Sequence, residues 1–311
     1  MKRSKRETIL IVGGTGFIGS HLVKKAQKLN LNIIILNKSG KVNLKTKKKT
    51  KIIKADIKNK FYLIKKLKNK KINYVINCGG YIDHSLFFKK NGPKALMDHF
   101  DSVRNLSSAI NRKKLKKFLQ VGSSDEYGGS LSPQKENLRE NPISPYSFGK
   151  VAATHFLQML NITENFPSVI LRIFLTYGPG QSQKRFLPQI IEGCLKNSKF
   201  KTSKGDQLRD FCYIDDVVDI IYKALFSRKT VGKVLNIGSG KPTKIKIMIK
   251  KIIKLIGSGK PIFGALPYRK GENMSLYANT NEIYKILKWK PKISLDEGLK
   301  RTIKYYKYDG K

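Results

Sequence analysis

Over the first two thirds of the chain, short apolar runs alternate with segments whose apolar residues recur at helical spacing. Residues 8–12, 33–36, 51–55, 74–77, 118–122 and 168–174 have the length and composition of strands. Between them, 16–29, 61–67, 93–111 and 145–160 carry amphipathic helical patterns. This strict alternation predicts an α/β fold in which a doubly wound parallel sheet is covered on both faces. After Gly178 the pattern is less regular. Helical segments at 187–195, 217–226, 245–256 and 295–305 are set among Gly- and Pro-containing loops. The expected organisation is a main domain over residues 1–178 and a smaller lobe over 179–311, with segments near 209–240 returning to the main domain.

The first strand runs into Val12-Gly13-Gly14-Thr15-Gly16-Phe17-Ile18-Gly19. Glycines at 13, 16 and 19 between an apolar strand and an amphipathic helix suit a dinucleotide. They allow a tight turn, let the backbone approach a pyrophosphate, and place it on the helix N-terminus. Gly13, Thr15, Gly16, Phe17, Ile18 and Gly19 are therefore candidate cofactor contacts in a Rossmann-type domain. At the end of the second strand an acidic residue would bind the ribose 2′-hydroxyl of NAD. This chain has Asn37-Lys38-Ser39 there, with no carboxylate and with groups able to hold a phosphate, so NADP is the cofactor expected and NAD the second choice. Asp56 and Ile57, after the third strand, are placed to meet the adenine.

Tyr146 and Lys150 stand four residues apart on a predicted helix, so both side chains share one face. Hydride transfer at a carbinol needs a group that exchanges the proton on oxygen. A tyrosine, with an ordinary pKa near 10, does this near neutrality only beside a positive charge. The preceding strand end, Gly122-Ser123-Ser124-Asp125-Glu126-Tyr127-Gly128, offers hydroxyls to the reacting oxygen.

Together these motifs resemble the extended short-chain dehydrogenases, whose nucleotide-sugar branch holds epimerases, 4,6-dehydratases and 4-ketoreductases. The likeness continues through Leu171-Arg172-Ile173-Phe174, Tyr177-Gly178-Pro179-Gly180, Arg209-Asp210-Phe211-Cys212-Tyr213-Ile214-Asp215-Asp216-Val217, Leu235-Asn236-Ile237-Gly238 and Leu287-Lys288-Trp289-Lys290-Pro291. It implies a catalytic set of Ser123, Tyr146 and Lys150, with Ser124 competing for the hydroxyl role. It also implies that Tyr146 and Lys150 contact the cofactor and that Arg209 and Arg269 grip a substrate diphosphate. Ser124, Asp125, Glu126, His84 and Gln189 are further candidates for the substrate. Two positions depart from the pattern. Leu175 and His99 stand where relatives often carry asparagine, and no role for His99 follows from the sequence.

Composition adds less. The chain of 311 residues has a formal net charge of +43. Its lysines are spread over predicted helix faces and through runs such as 47–51, which reads as solvated surface that would also attract an anionic substrate. Nucleic acid is therefore not the partner expected. Cys78, Cys194 and Cys212 have neither metal nor redox spacing, and no metal site is expected. No apolar run is long enough to span a bilayer and no leader pattern opens the chain, so a cytoplasmic protein is expected.

The reading taken from the sequence is an NAD(P)-dependent enzyme acting on a nucleotide sugar, with reduction of an NDP-4-keto-6-deoxyhexose placed first. Nucleotide-sugar 4-epimerase is the alternative, then 4,6-dehydratase, then a non-catalytic nucleic-acid-binding relative. The missing carboxylate after the second strand favours NADP and so a net reduction, and the serine turn has one residue fewer than the dehydratase pattern, which is why the reductase is preferred. The resemblance further implies a homodimer built on the helix that carries Tyr146 and Lys150.

Overall fold

The computed structural model of the chain describes residues 6–41, 50–89, 91–269 and 271–309; residues 47–49 of the lysine run lie outside them. The alternating pattern is realised as β1 (Thr8–Val12), α1 (Phe17–Lys28), β2 (Asn32–Asn37), β3 (Thr50–Lys54), α2 (Lys60–Leu67) and β4 (Tyr74–Asn77). It continues with α3 (Gly92–Ala109), β5 (Lys117–Ser123), α4 (Pro145–Glu164) and β6 (Ser168–Ile173). The later part holds β7 (Leu175–Tyr177), α5 (Phe186–Leu195), β8 (Lys199–Lys201), β9 (Leu208–Tyr213), α6 (Ile214–Phe226) and β10 (Val234–Ile237). After these come β11 (Pro242–Lys244), α7 (Ile245–Ile256), β12 (Lys260–Ile262), β13 (Ser275–Leu276), α8 (Asn281–Leu287) and α9 (Leu295–Lys304).

Among the described residues, seven strands form one sheet in the order β10-β6-β5-β4-β1-β2-β3. β1 pairs in parallel with β2 on one side and with β4 on the other. The strand order therefore reverses direction at β1, and the carboxyl ends of β1 and β4 frame the crevice where doubly wound sheets take ligands. Strand burial follows position. β1 and β4 are apolar and almost wholly buried, as expected with helices on both faces. β3 closes one edge and exposes Lys51 and Lys54, side chains that discourage pairing with another sheet.

Two compact units divide the chain. The first comprises Met1–Gly128, Glu140–Arg172 and Ile220–Leu235; the second comprises Gly129–Arg139, Ile173–Asp219 and Asn236–Lys311. The core of the first unit joins Leu10, Val12, Ile34, Leu36 and Val75 of the sheet to Val103 and Leu106 of α3 and Ala153 and Leu157 of α4.

In the second unit β9 is the centre of a small sheet, antiparallel to β11 and parallel to β7 and β13. The buried Asp210 on β9 accepts the backbone N–H groups of Ser239, Gly240 and Ala278. No helix among the described residues is long and apolar enough to cross a membrane.

Candidate active site

The glycine turn has the backbone that its sequence demands. Gly13 has φ +74°, and a Cβ there would lie 2.9 Å from Cys78 O. Only glycine tolerates both the left-handed conformation and the close approach. A Cβ on Gly19, in the first turn of α1, would collide with Gly13 O. The N-cap of α1 is Gly16, whose residue type supplies no capping side chain, and Thr15 and Gly16 are exposed. The first N–H groups of the helix are therefore left for an anion, which is the cradle a pyrophosphate needs. Phe17 and Ile18 are half-buried beside it.

At the end of β2, Asn37 is folded onto its own turn. Its Oδ1 accepts the Gly40 N–H at 2.6 Å and its Nδ2 donates to Lys41 O at 2.9 Å. Ser39 Oγ accepts the Lys41 N–H at 3.1 Å. Lys38 is exposed and pairs with Asp56 at 3.1 Å. Burial works against the Asp56 charge, yet the Lys58 backbone N–H and the Lys38 ammonium hold its carboxyl below the usual range. Ile57, half-buried next to it, accepts a bond from Asn105 of α3 through its carbonyl.

Tyr146 and Lys150 enter through a well-defined helix start. Ser144 caps α4 by accepting the Ser147 N–H at 3.1 Å, and Pro145 occupies the first turn. Tyr146 therefore lies in the first turn, with Lys150 one turn further on. Lys150 is buried, its Nζ donates to Val121 O at 3.0 Å, and burial pushes its pKa down.

The strand before it, β5, ends at Ser123. Ser123 Oγ accepts the Asp125 N–H at 3.1 Å, while Glu126 Oε1 accepts the Ser123 N–H at 2.8 Å. His84 reaches towards this turn, 3.8 Å from Asp125, and its ring centroid is 5.7 Å from that of Tyr146. Ser123, Asp125, His84, Tyr146 and Lys150 thus belong to one neighbourhood of the first unit, with Ser124 buried beside Ser123.

Glu126 corrects an expectation. Expected at the substrate, it is fully buried, and both its oxygens are engaged. Oε1 holds the Ser123 N–H, and Oε2 takes the Thr154 hydroxyl at 2.8 Å and Arg172 Nε at 2.9 Å. Two further residues belong to the neighbourhood although the sequence assigned them no part. His99 packs on Tyr146 with ring centroids 4.7 Å apart, and Arg172 anchors Glu126. The Leu-Arg-Ile-Phe motif contains Arg172, but its partners are 32 and 46 residues away in sequence, so no local pattern announces the contact.

The second unit carries the remaining candidates. Arg209 is mostly buried on β9, donates to Leu208 O at 2.8 Å and forms an ion pair with Glu272. Glu272 in turn donates its N–H to Arg269 O at 3.0 Å, and Arg269 is exposed. One short segment therefore connects the two arginines. Gln189 stands on the exposed face of α5, and Leu175 is half-buried in β7. Among the described residues no group of His, Cys, Asp and Glu could hold a metal, and the three cysteines are free.

Comparison with known proteins agrees with this geometry. The chain is 29% identical over 315 residues to human dTDP-D-glucose 4,6-dehydratase, covering 96% of this chain and 89% of that protein. It is 30% identical over 312 residues to a putative UDP-glucose 4-epimerase of Methanocaldococcus jannaschii, covering 96% and 98%. UDP-glucuronic acid 4-epimerase from Bacillus cereus, solved with UDP-glucuronic acid and NAD, superposes with a TM-score of 0.86 at 27% identity, over 96% of this chain and 99% of that one. Residues 9–238, most of the chain and all of the glycine turn, serine turn and Tyr146/Lys150 helix, match the NAD dependent epimerase/dehydratase family, and the chain belongs to that family.

Proposed function

We propose that the chain is a nucleotide-sugar oxidoreductase that exchanges hydride at a single sugar carbon, and that its reaction is reduction of a 4-keto-6-deoxy sugar nucleotide. The observation that carries this reading is the pairing of Tyr146 and Lys150 at the start of α4 with a serine turn whose glutamate faces inward. Elimination of water across C5–C6 needs an acid and a base beside the sugar. Glu126 is engaged on both oxygens in the interior, leaving Asp125 as the carboxylate on the exposed side of the turn.

The residues fit a nicotinamide dinucleotide. The glycine cradle at 13–19 suits its pyrophosphate, and Asn37, Lys38 and Ser39 stand where the adenosine ribose would lie. β2 itself ends without a carboxylate, and Lys38 would exchange its pair with Asp56 for a 2′-phosphate, which favours NADP over NAD. When bound, the cofactor supplies or accepts the hydride. Tyr146 exchanges the proton on the sugar oxygen, Ser123 holds that oxygen by a hydrogen bond, and the Lys150 ammonium favours the phenolate. Arg209 and Arg269 suit the substrate diphosphate, because planar guanidinium groups bind phosphate in pairs of hydrogen bonds.

A 4-epimerase is the second reading, favoured by the 30% identity to the Methanocaldococcus protein. Both readings are tested by incubating the purified protein with NADPH or NADH and a panel of UDP- and dTDP-linked sugars, including 4-keto-6-deoxy forms. Absorbance at 340 nm and NMR of the products are followed. Loss of NADPH with a 4-keto-6-deoxy substrate supports the reductase. Interconversion of 4-epimers with tightly held NAD overturns it in favour of the epimerase.

The chain is further proposed to form a homodimer through α4. Phe148, Met159 and Ile162 lie exposed along one helical stripe of α4, with Ile162 79% exposed. Light scattering after size exclusion should give twice the mass of one chain, and Ile162→Lys should lower it. A monomer at micromolar concentration would overturn the assignment.

A further inference from the structure

His99 lies on the buried face of α3, 4% exposed, with its ring edge-to-face against Tyr146 at 86° and 4.7 Å between centroids. Its Nε2 is 2.8 Å from Tyr81 O. A carbonyl only accepts, so Nε2 carries the ring proton, and a neutral ring then has a bare Nδ1. Two glycines make the space for this ring. A Cβ on Gly80, where φ is +137°, would lie 2.7 Å from His99 Cε1, and a Cβ on Gly149 would lie 3.1 Å from His99 Cβ. The Tyr81 loop is tied back to the same helix, because the Tyr81 hydroxyl donates to Asp98 at 3.1 Å and Asp98 pairs with Lys58 at 3.2 Å.

We propose that His99 is a positioning residue that seats the phenol ring of Tyr146 for proton transfer while its own imidazole stays neutral and outside the proton path. This rests on Tyr146 being the proton donor of the function proposed above. Tyr146 sits in the first turn of α4, 4% exposed, and the His84 ring also packs on it with centroids 5.7 Å apart. The imidazole closes one side of the ring, and the bond to Tyr81 O fixes the imidazole. The charged and titratable groups around His99 act in opposite senses. Burial and the Lys150 ammonium on α4 disfavour a second proton on the ring, whereas Asp98 on α3 and the Tyr81 carbonyl favour it. Burial dominates and pushes the imidazole down to about 3. A cation there would also be repelled by the Lys150 ammonium.

The test compares His99→Phe, His99→Leu and His99→Ala with Tyr146→Phe, using whichever nucleotide sugar of the panel is turned over. His99→Phe keeps a ring edge against Tyr146 and should keep kcat within about threefold of the parent. His99→Leu fills the space without a ring, and His99→Ala leaves it empty. Both should lower kcat by about tenfold to a hundredfold, as small misplacements of a reacting group do, with KM and cofactor affinity little changed. In ¹⁵N spectra of the four histidines, the signal lost in His99→Phe should keep one protonated and one bare nitrogen from pH 5 to 8, whether or not a substrate is in hand.

Parent-like kcat in His99→Leu, an equal loss in His99→Phe, or titration of the His99 signal within that range would each overturn the inference. If Tyr146→Phe itself retained turnover, the proposed function would fail instead, and the two failures are therefore distinguishable.

Discussion

Arg172 Nε meets Glu126 Oε2 at 2.9 Å in the interior of the first unit, with the carboxylate side chain 0% and the guanidinium side chain 1% exposed. The guanidinium also lies over the Tyr127 ring at 4.6 Å and pairs with Glu140, which His155 approaches at 3.3 Å. With Oε2 held by Arg172 and Thr154, Oε1 is aimed at the Ser123 N–H. A chain of polar contacts thus fixes the turn that presents the serine hydroxyl. Arg172 Nη1 is buried without a hydrogen-bond partner among the described residues, so the network is satisfied only in part.

The pair should behave as a buried ion pair from which one partner cannot be removed cheaply. Arg172→Met leaves Glu126 charged and unpaired and should lower the unfolding free energy by about 3–5 kcal/mol. Glu126→Gln keeps one acceptor oxygen for the Ser123 N–H, can donate its amide to the Thr154 hydroxyl, and leaves Arg172 its pair with Glu140, so it should cost less. Urea unfolding of both variants checks the order. Equal costs would mean that Arg172 is not the main partner of Glu126.

Ser123 has two functions that a single substitution separates only in part. Its Oγ caps the following turn by accepting the Asp125 N–H, which leaves its own O–H free to donate to a reacting oxygen. Ser123→Ala should lower kcat by about 10²–10³, the usual loss for one donor to a reacting oxygen, and cost about 1 kcal/mol of stability through the lost cap. Ser123→Thr should restore both in large part, and Ser124→Ala should change turnover far less. Steady-state kinetics of the three variants decide between the serines, and the reverse order would assign the hydroxyl role to Ser124.

Cofactor preference should respond to Asn37. Asn37→Asp keeps the acceptor for the Gly40 N–H, loses the bond to Lys41 O, and places a carboxylate at the strand end. A carboxylate there binds a free ribose hydroxyl and repels a 2′-phosphate. The ratio of kcat/KM for NADPH to that for NADH should fall by about tenfold or more, equivalent to about 1.4 kcal/mol. An unchanged ratio would mean that the adenosine ribose does not approach Asn37.

Much of this fold was legible because it follows from local periodicity. The runs predicted at 8–12 and 74–77 are β1 and β4 without a shift, since both are apolar segments bounded by breaking residues. The helix expected over 145–160 extends to Glu164, because the amphipathic pattern weakens before the backbone stops at Asn165 in a left-handed conformation. The short strands β7, β8 and β13 were not legible. They are two or three residues long, and their pairing partners lie tens of residues away.

The site divides in the same way. Gly13, Tyr146 and Lys150 are recognisable from spacing, because one turn of chain sets their geometry. The inward direction of Glu126 and the contact of His99 with Tyr146 come from tertiary packing. A carboxylate next to a serine reads as functional until the arginine that buries it is placed.

Two buried groups should give the stability curve distinct slopes. His99 has its pKa lowered by burial to about 3, against 6.5 for a free imidazole. Between those values the unfolded chain binds more protons than the folded one, so stability falls as pH drops below about 6.5. Lys117, 3% exposed with its Nζ on Ser227 O and Thr230 Oγ1, has its pKa lowered by burial from 10.5 to about 8. In that upper window the unfolded chain again binds more protons, and stability should rise with pH. Each group contributes a slope of up to about 1.4 kcal/mol per pH unit within its window. Urea unfolding from pH 4 to 10 should show His99→Phe flattening the acid window alone and Lys117→Met flattening the alkaline window alone. Lys117→Met should also raise stability at pH 7, where the parent buries a cation that hydrogen bonds only partly offset. A curve for Lys117→Met parallel to that of the parent between pH 8 and 10 would mean that the lysine keeps its proton in the folded chain as it does in the unfolded one.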